Sequence, residues 1–348
     1  MAFLYRSDPN SLPIVLAMSV ITYGAGHVIH KGKRPGLYHL LGLILLVAAL
    51  TMFKYMGFLS GIVSRIMDLF SHPGRFKIDN LIMPLGISYI VFKHISYLTD
   101  IKWKLVSPGR FMDFLLYSSL FTIFVAGPIE RFERFKPQVE VSRIPFFWSD
   151  IDTGFSRIVF GLFKKLVIAD WLGYFIAPVW ASPWQYGKWT GLLALLGYSL
   201  QIYFDFSGYS DIAIGSSRLF GIRIMENFKN PYFAPNISTF WRRWHISLSD
   251  WIRDYIFFPL SRFSKNKVWA IFFVPVIAMG LCGLWHGAAW HFVFWGLWHG
   301  VGLFIFQIWS NYKRKYRSRG NFNPGRWIIS FAICANFTFV SVGWNLFR

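Results

Sequence analysis

An imidazole stands among glycine and tryptophan residues in the run Gly283-Leu284-Trp285-His286-Gly287-Ala288-Ala289-Trp290, at the junction of two long apolar stretches. An ionisable side chain in such surroundings is costly and marks a functional position by default. A neutral imidazole near pH 7 can take up a proton and hand it on, so general-base catalysis is the chemistry that His286 offers. Cys282 lies four residues earlier, one turn away in a helix, which admits a thiol nucleophile paired with the imidazole. A small apolar packing role accounts for Cys282 better and is the reading adopted. The Leu-Trp-His-Gly sequence returns at 297–300 and places His299 thirteen residues beyond His286, about 140° around a regular helix, so the two rings do not share one helical face.

A second imidazole lies in Asn236-Ile237-Ser238-Thr239-Phe240-Trp241-Arg242-Arg243-Trp244-His245-Ile246-Ser247-Leu248-Ser249-Asp250-Trp251-Ile252-Arg253-Asp254-Tyr255. Asn236, Ser238 or Thr239 can cap a helix that follows the loop marked by Pro231 and Pro235. On a helical wheel Trp241, Trp244, His245, Leu248, Trp251, Ile252 and Tyr255 gather on one face, with Arg242, Arg243, Asp250, Arg253 and Asp254 opposite. The spacing predicts an amphipathic helix at the membrane interface, or dipping into the protein, with His245 on its buried side. Spacing alone admits both a hydrogen-bonded interface histidine and a catalytic one.

Carboxylates interrupt the apolar run Gln201-Ile202-Tyr203-Phe204-Asp205-Phe206-Ser207-Gly208-Tyr209-Ser210-Asp211. A carboxylate at mid-membrane depth costs about 2.5–3.5 kcal/mol on insertion scales. Asp205 and Asp211 are therefore expected to face a hydrated cavity, a cationic partner or the membrane surface. Six residues put them about 240° apart on a helix, so they do not form the paired carboxylates of a glycosidase. Helix-packing hydrogen bonds from Ser207 and Ser210 account for the same polarity without chemistry.

The elements that position these residues follow from composition. Of 348 residues 55% are hydrophobic and 20% aromatic, which describes an integral membrane protein. Apolar runs of spanning length recur at 12–29, 37–58, 81–98, 114–129, 155–179, 190–206, 268–284, 288–309 and 327–347. They are continuous, without the alternation of membrane β-strands, so the expected fold is an all-α, polytopic bundle. The formal charge of +20 sits in short links, including Lys31, Lys33 and Arg34, Lys102, Lys104 and Arg110, Arg262, Lys265 and Lys267, and Lys313 to Arg319. Such links stay cytoplasmic against anionic lipid heads, and the first would leave the amino terminus outside. No basic soluble domain is present to bind nucleic acid. Residues 1–11 contain Arg6 and Asp8 and no signal-peptide core, so the first span serves as its own insertion signal. Two cysteines without Cys/His metal spacing exclude a disulfide framework and a zinc site. Residues 1–348 read as one transmembrane domain, whose longest polar stretches, 71–80, 130–153 and 221–239, are short enough for loops or interfacial helices.

Five blocks, in order, carry a family resemblance: Gly127-Pro128-Ile129-Glu130-Arg131-Phe132, Asp205-Phe206-Ser207-Gly208-Tyr209-Ser210-Asp211, Glu226-Asn227-Phe228-Lys229-Asn230-Pro231-Tyr232, the run from Phe240 to Ser249, and Gly283-Leu284-Trp285-His286-Gly287. From about Met83 to its end the chain resembles the membrane-bound O-acyltransferase (MBOAT) family. It is most similar to the bacterial alginate O-acetyltransferase branch, with motifs shared by the branch that transfers D-alanine to teichoic acid. The resemblance implies a helical bundle around a through-going funnel, His286 as the catalytic residue at its centre and His245 in or beside the site. It also implies donor-binding or funnel-lining roles for Trp241, Arg242, Arg243, Trp244, Trp285 and Asp205, and a structural role for His299. The Arg242 and Arg243 guanidiniums suit donor phosphates, and anchoring on lipid phosphates suits them equally.

The implied activity is acetyl transfer from a cytoplasmic thioester, acetyl-CoA, to an extracytoplasmic polysaccharide through a partner protein, with no bound cofactor or metal. The implied location is the bacterial inner (cytoplasmic) membrane, as a multi-pass protein among lipids. Two alternatives remain: D-alanyl transfer to teichoic acid, and a transporter or scaffold in which Asp205 and Asp211 serve as ion or proton sites. Relatives of this branch begin with further apolar sequence and continue beyond a segment like Gly343-Trp344-Asn345-Leu346-Phe347-Arg348, which suggests a short variant or a truncated product.

Overall fold

The structure, a computed structural model, describes residues 2–70, 83–140, 147–263, 267–317 and 325–348. The polar stretch 71–80, and Lys265 and Arg319 of the basic links, lie outside the described residues. Every regular element among the described residues is helical. Among the described residues, five helical segments are long and apolar enough to cross a membrane: Ser11–Lys31, Pro35–Leu69, Val268–His286, Trp290–Arg314 and Arg326–Phe347. The protein is thus a polytopic helical membrane protein, with two compact units, one of Met1–Ile151 with Ser217–Ile224 and one of Asp152–Ser216 with Met225–Arg348.

In the first unit α1 (Ala2–Ser7) precedes α2 (Ser11–Lys31), whose first turn is held by the Asp8 carboxylate accepting from Ser11. Pro35 opens α3 (Pro35–Leu50), where its missing N–H leaves no hydrogen bond unmade. A π-helical turn at Thr51–Tyr55 joins α3 to α4 (Met56–Leu69). Leu40, Leu41, Ile44, Leu45 and Val47 stay exposed on α3, as on a helix facing lipid.

The next helix, α5 (Ile87–Lys102), carries a buried polar stripe instead. His94 meets Thr22 Oγ1 at 3.0 Å through Nδ1 and Ser118 Oγ at 2.8 Å through Nε2, and Lys93 donates to the Tyr117 carbonyl at 3.0 Å. The run expected to span at 114–129 is divided: α6 (Phe111–Ser119) ends, a 3₁₀ turn follows at Phe121–Ile123, and the Gly127–Phe132 block leads into α7 (Phe132–Val139). Glu130 within that block is fully buried, accepting from the Arg131 N–H and pairing with Arg134 at 3.4 Å.

The second unit begins within α8 (Trp148–Leu162), which passes through a π-helical segment at Phe163–Ala169 into α9 (Asp170–Ala181) and then α10 (Lys188–Leu219), whose residues from Ser217 on belong to the first unit. The backbones of α8 and α10 touch where Gly161 faces Gly208, since a Cβ on Gly161 would lie 2.6 Å from the Gly208 carbonyl oxygen. Beyond α10 come α11 (Ile237–Trp241), α12 (Ile246–Ile252), a π-helical turn at Arg253–Phe257 and α13 (Phe258–Phe263). The unit closes with α14 (Lys267–His286), α15 (Trp290–Arg317) and α16 (Arg326–Phe347). The runs at 155–179 and 190–206 are helical as the sequence suggests, but Lys164, Lys165, Asp170 and Asp205 lower their apolarity, and neither belongs to the five segments of spanning character.

Candidate active site

The His245 segment is helical and amphipathic, but it is not the continuous helix that its spacing suggests. Asn236 caps α11 as expected, its side chain accepting from the Thr239 N–H at 2.8 Å. The helix then stops: the N–H groups of Arg243 and Trp244 both turn back to the Phe240 carbonyl, and His245 takes a left-handed conformation with φ 43° and ψ 55° before α12 begins. The interruption has a long-range cause. Residues 227–229 lie alongside and pair with it, Lys229 N donating to the Arg243 carbonyl and Ile246 N to the Asn227 carbonyl, each at 3.0 Å. A left-handed non-glycine residue costs roughly 1–3 kcal/mol and persists only where its surroundings over-determine it. Even with the break, the partition of side chains follows the wheel: Trp241, Trp244, His245, Leu248, Trp251 and Ile252 are buried, while Arg242 is exposed.

His286 is the last residue of α14 and is half-buried. Its ring meets Trp295 of α15 and Phe347 of α16 edge-on, each at 5.1 Å between centroids. The buried Trp285 ring lies 4.8 Å from His286 and 6.3 Å from His245, so one tryptophan stands against both imidazoles. The α14–α15 hairpin that presents His286 is tight, because Gly283 and Gly296 put the two backbones in contact: an added Cβ would lie 2.1 Å from the Phe292 carbonyl oxygen at Gly283, and 2.2 Å from that of Met279 at Gly296.

On its other side the His245 ring packs on Phe206 of α10 at 4.7 Å. Its Nδ1 faces Asn227 Oδ1 at 3.3 Å, whereas Nε2 has no hydrogen-bond partner among the described residues. Burial, with His286 nearby, holds the His245 imidazole well below its ordinary pKa, so the ring is neutral.

The remaining candidates divide into two groups. Trp244 is buried and nearly parallel to Phe240 at 5.6 Å, and Trp241 meets Trp295 at 5.8 Å and His299 at 5.1 Å. His299 is fully buried in this aromatic cluster, and neither of its ring nitrogens has a hydrogen-bond partner among the described residues. Arg242 and Arg243 bond to groups other than the histidines, donating to Thr239 Oγ1 and to the Phe233 carbonyl. Asp205 also stands apart: it pairs with Lys165 at 2.6 Å, and the neighbouring Phe206 is the residue that reaches His245. Asp211 has two cations, Arg157 at 2.6 Å and Lys164 at 2.5 Å. Of the three settings expected for these carboxylates, the cationic partner is the one found. Cys282 is buried one turn below His286.

Sequence reading missed Phe206, Asn227, Trp295 and Phe347 as neighbours of the two histidines. Asn227 lies in the block Glu226–Tyr232, but its type and spacing carry no signal of an imidazole partner; Phe347 lies far along the chain and reaches His286 only through the packing of α16. A cavity of about 250 Å³ adjoins Trp241, with Met279, Phe306 and Gln307 among its walls, and neither His245 nor His286 lines it. Among the described residues no group of three or more His, Cys, Asp or Glu side chains is placed to hold a metal ion.

Residues 103–342 match the sequence model of MBOAT, the membrane-bound O-acyltransferase family. The chain is 35% identical to the probable alginate O-acetylase AlgI of Azotobacter vinelandii over 88% of its own length and 59% of that protein's. It is 32% identical to the peptidoglycan O-acetyltransferase of Helicobacter pylori, over 97% of this chain and 67% of the relative. It is 33% identical to the teichoic acid D-alanyltransferase of Bacillus subtilis, over 82% of this chain and 74% of the relative. The chain thus spans about six-tenths of the length of the alginate O-acetylases that it matches.

Proposed function

Since this chain belongs to the membrane-bound O-acyltransferase family, we propose that it passes an acetyl group from a cytoplasmic thioester, acetyl-CoA, to a hydroxyl of an extracytoplasmic polysaccharide by way of a partner protein. The observation that carries the reading is the pairing of His245 and His286 around Trp285, from segments that are distant in the chain. His286 acts as the general base. It takes the proton of the acceptor hydroxyl as that oxygen attacks the thioester carbonyl; a C–O bond forms, the C–S bond breaks, and the proton leaves with the thiolate as free thiol. Trp241, Trp244 and Trp285 wall the site in apolar surface. Arg242, exposed beside it, contacts the donor's phosphates, with Arg243 in support. The setting is the inner membrane of a bacterium.

A second reading keeps the fold and changes the cargo, D-alanine for teichoic acid, and is favoured by the match over most of the Bacillus subtilis D-alanyltransferase. The test supplies membranes containing the chain and its cognate partner with either labelled acetyl-CoA or a labelled D-alanyl carrier protein. Acetyl label reaching partner or glycan is the expected result; label from the carrier protein alone would replace the acetyl reading with the D-alanyl one.

Transport is disfavoured by the ion pairs of Asp205 and Asp211, which leave neither carboxylate as a bare ion site. Asp211→Asn should lower the thermal midpoint by weakening its bonds to Arg157 and Lys164, without abolishing acetyl transfer. Uptake of an ion or solute that disappears with Asp211→Asn and survives His286→Ala would revive the transporter.

A further inference from the structure

The Asn227 side chain is fully buried, and both of its polar atoms are engaged. Its Nδ2 donates to Ser210 Oγ on α10 at 3.3 Å. Its Oδ1 receives the backbone N–H of Ser247 at 3.2 Å and the Ser247 hydroxyl at 2.8 Å, and it faces His245 Nδ1 at 3.3 Å. A backbone N–H can only donate, so the amide atom opposite Ser247 N has to be the oxygen, and the orientation of the Asn227 amide follows from that chemistry. The same oxygen has no hydrogen to give. For its approach to be attractive, His245 Nδ1 must carry the proton, and a neutral imidazole then keeps its lone pair on Nε2. Nε2 is the ring atom left without a partner among the described residues.

We propose that Asn227 is a positioning residue that holds His245 as the Nδ1–H tautomer and leaves Nε2 as an unengaged acceptor within the site. Capping α12 alone would need only the two bonds to Ser247; the third contact, to the imidazole, is what a cap does not require. Backbone bonds from the same loop fix where the ring stands, since the Asn227 carbonyl takes Ile246 N and Lys229 N donates to Arg243, on either side of His245. The consequence for transfer rests on the acyltransferase reading above. With its lone pair at Nε2, His245 offers the site a second acceptor, able to take on the proton that His286 has withdrawn from the incoming hydroxyl; the opposite tautomer would present a donor there and could not.

The test reads the tautomer directly. Protein labelled with ¹⁵N-histidine, in detergent micelles near pH 7, gives long-range ¹H–¹⁵N correlations that distinguish protonated from bare ring nitrogens, and the His245 signals are assigned by their loss in His245→Gln. The expected spectrum has Nδ1 protonated and Nε2 bare. Asn227→Ala, which removes the acceptor, should give a mixture of tautomers, whereas Asn227→Asp and Ser247→Ala, which both keep an acceptor oxygen, should retain Nδ1–H. An Nε2–H form in the unmodified protein overturns the proposal without any variant, and so does an unchanged Nδ1–H form in Asn227→Ala. If Asn227→Ala does not fold, the spectrum of the unmodified protein decides, Nδ1–H for the proposal and Nε2–H against it. In turnover, Asn227→Ala should lower kcat by about 10²-fold with little change in KM for acetyl-CoA, on the usual scale of a displaced proton acceptor. The spectrum needs no turnover, so an inactive protein with His245 in the Nδ1–H form would sink the acetyl-transfer reading alone, and an active one in the Nε2–H form would sink this inference alone.

Discussion

Acetyl transfer should fall by about 10²–10⁴-fold when His286 is replaced by Ala, with the protein still folded, because a general base of this kind contributes a factor of that size. The geometry explains why the loss should be chemical. His286 ends α14 instead of lying within it, is half-buried, and contacts Trp285, Trp295 and Phe347 through ring edges, so truncation removes little buried packing. His286→Gln should be equally inactive, since an amide keeps the volume and the hydrogen bonding but cannot accept a proton near neutral pH. His299→Ala makes the contrasting case. That ring is fully buried beside Phe240, Trp241 and Trp295, and its removal opens a void that should lower the thermal midpoint. The measurement is transfer of labelled acetyl from acetyl-CoA in membranes with the cognate partner, at matched protein abundance, with a thermal unfolding curve for each variant. Transfer retained by His286→Ala would remove that residue from the mechanism; a collapse of its thermal midpoint would mean that the lost activity reports folding.

The parts of this site legible in the sequence are those set by local pattern. The apolar runs around His286 are the hairpin α14–α15, and the face that collects Trp241, Trp244, His245 and Leu248 on a wheel is buried in the folded chain. What the wheel could not contain is the break at 242–245, because its cause lies elsewhere: the chain at 227–229 supplies the hydrogen bonds that a continuing helix would have made internally. Asn227 was invisible for the same reason. Its amide acts across a tertiary contact, and an asparagine before a proline-containing turn reads as loop chemistry. A carboxylate in an apolar run is costly, as the sequence around Asp205 already implies, and the structure supplies the compensating charge from Lys165, on the neighbouring π-helical segment. The contact with His245 came instead from the apolar neighbour Phe206, which no charge argument singles out. The run at 114–129 shows the converse limit. Its hydrophobicity suits a span, but α6 ends at Ser119 and the following block buries Glu130 completely, which apolarity alone does not foretell.

Gly283→Val should cost about 1–3 kcal/mol or more of stability, as overpacking of a filled contact does, and should lower transfer along with it. A Cβ at this position would lie 2.1 Å from the Phe292 carbonyl oxygen and 3.1 Å from the Gly296 Cα, so both obstacles are backbone and no rotamer change relieves them. The two helices would have to separate. Membrane helices gain their association from close packing and interhelical contacts more than from a hydrophobic drive, since lipid is as apolar as the interface, and the penalty of separation falls directly on that packing. His286 lies three residues beyond Gly283, at the end of the same helix. A shift of about 1 Å in a reacting group can cost 10²-fold in rate, so the rate should suffer even where the chain still inserts and folds. Gly191→Ala in α10 serves as the control, because nothing lies within 4 Å of a Cβ there and alanine favours a helix by about 1 kcal/mol over glycine. Thermal unfolding and acetyl transfer measured on the two variants should move in opposite directions in stability, with loss of rate only for Gly283→Val. Equal stability and rate for Gly283→Val and the unmodified chain would show that backbone contact between α14 and α15 does not hold His286 in place.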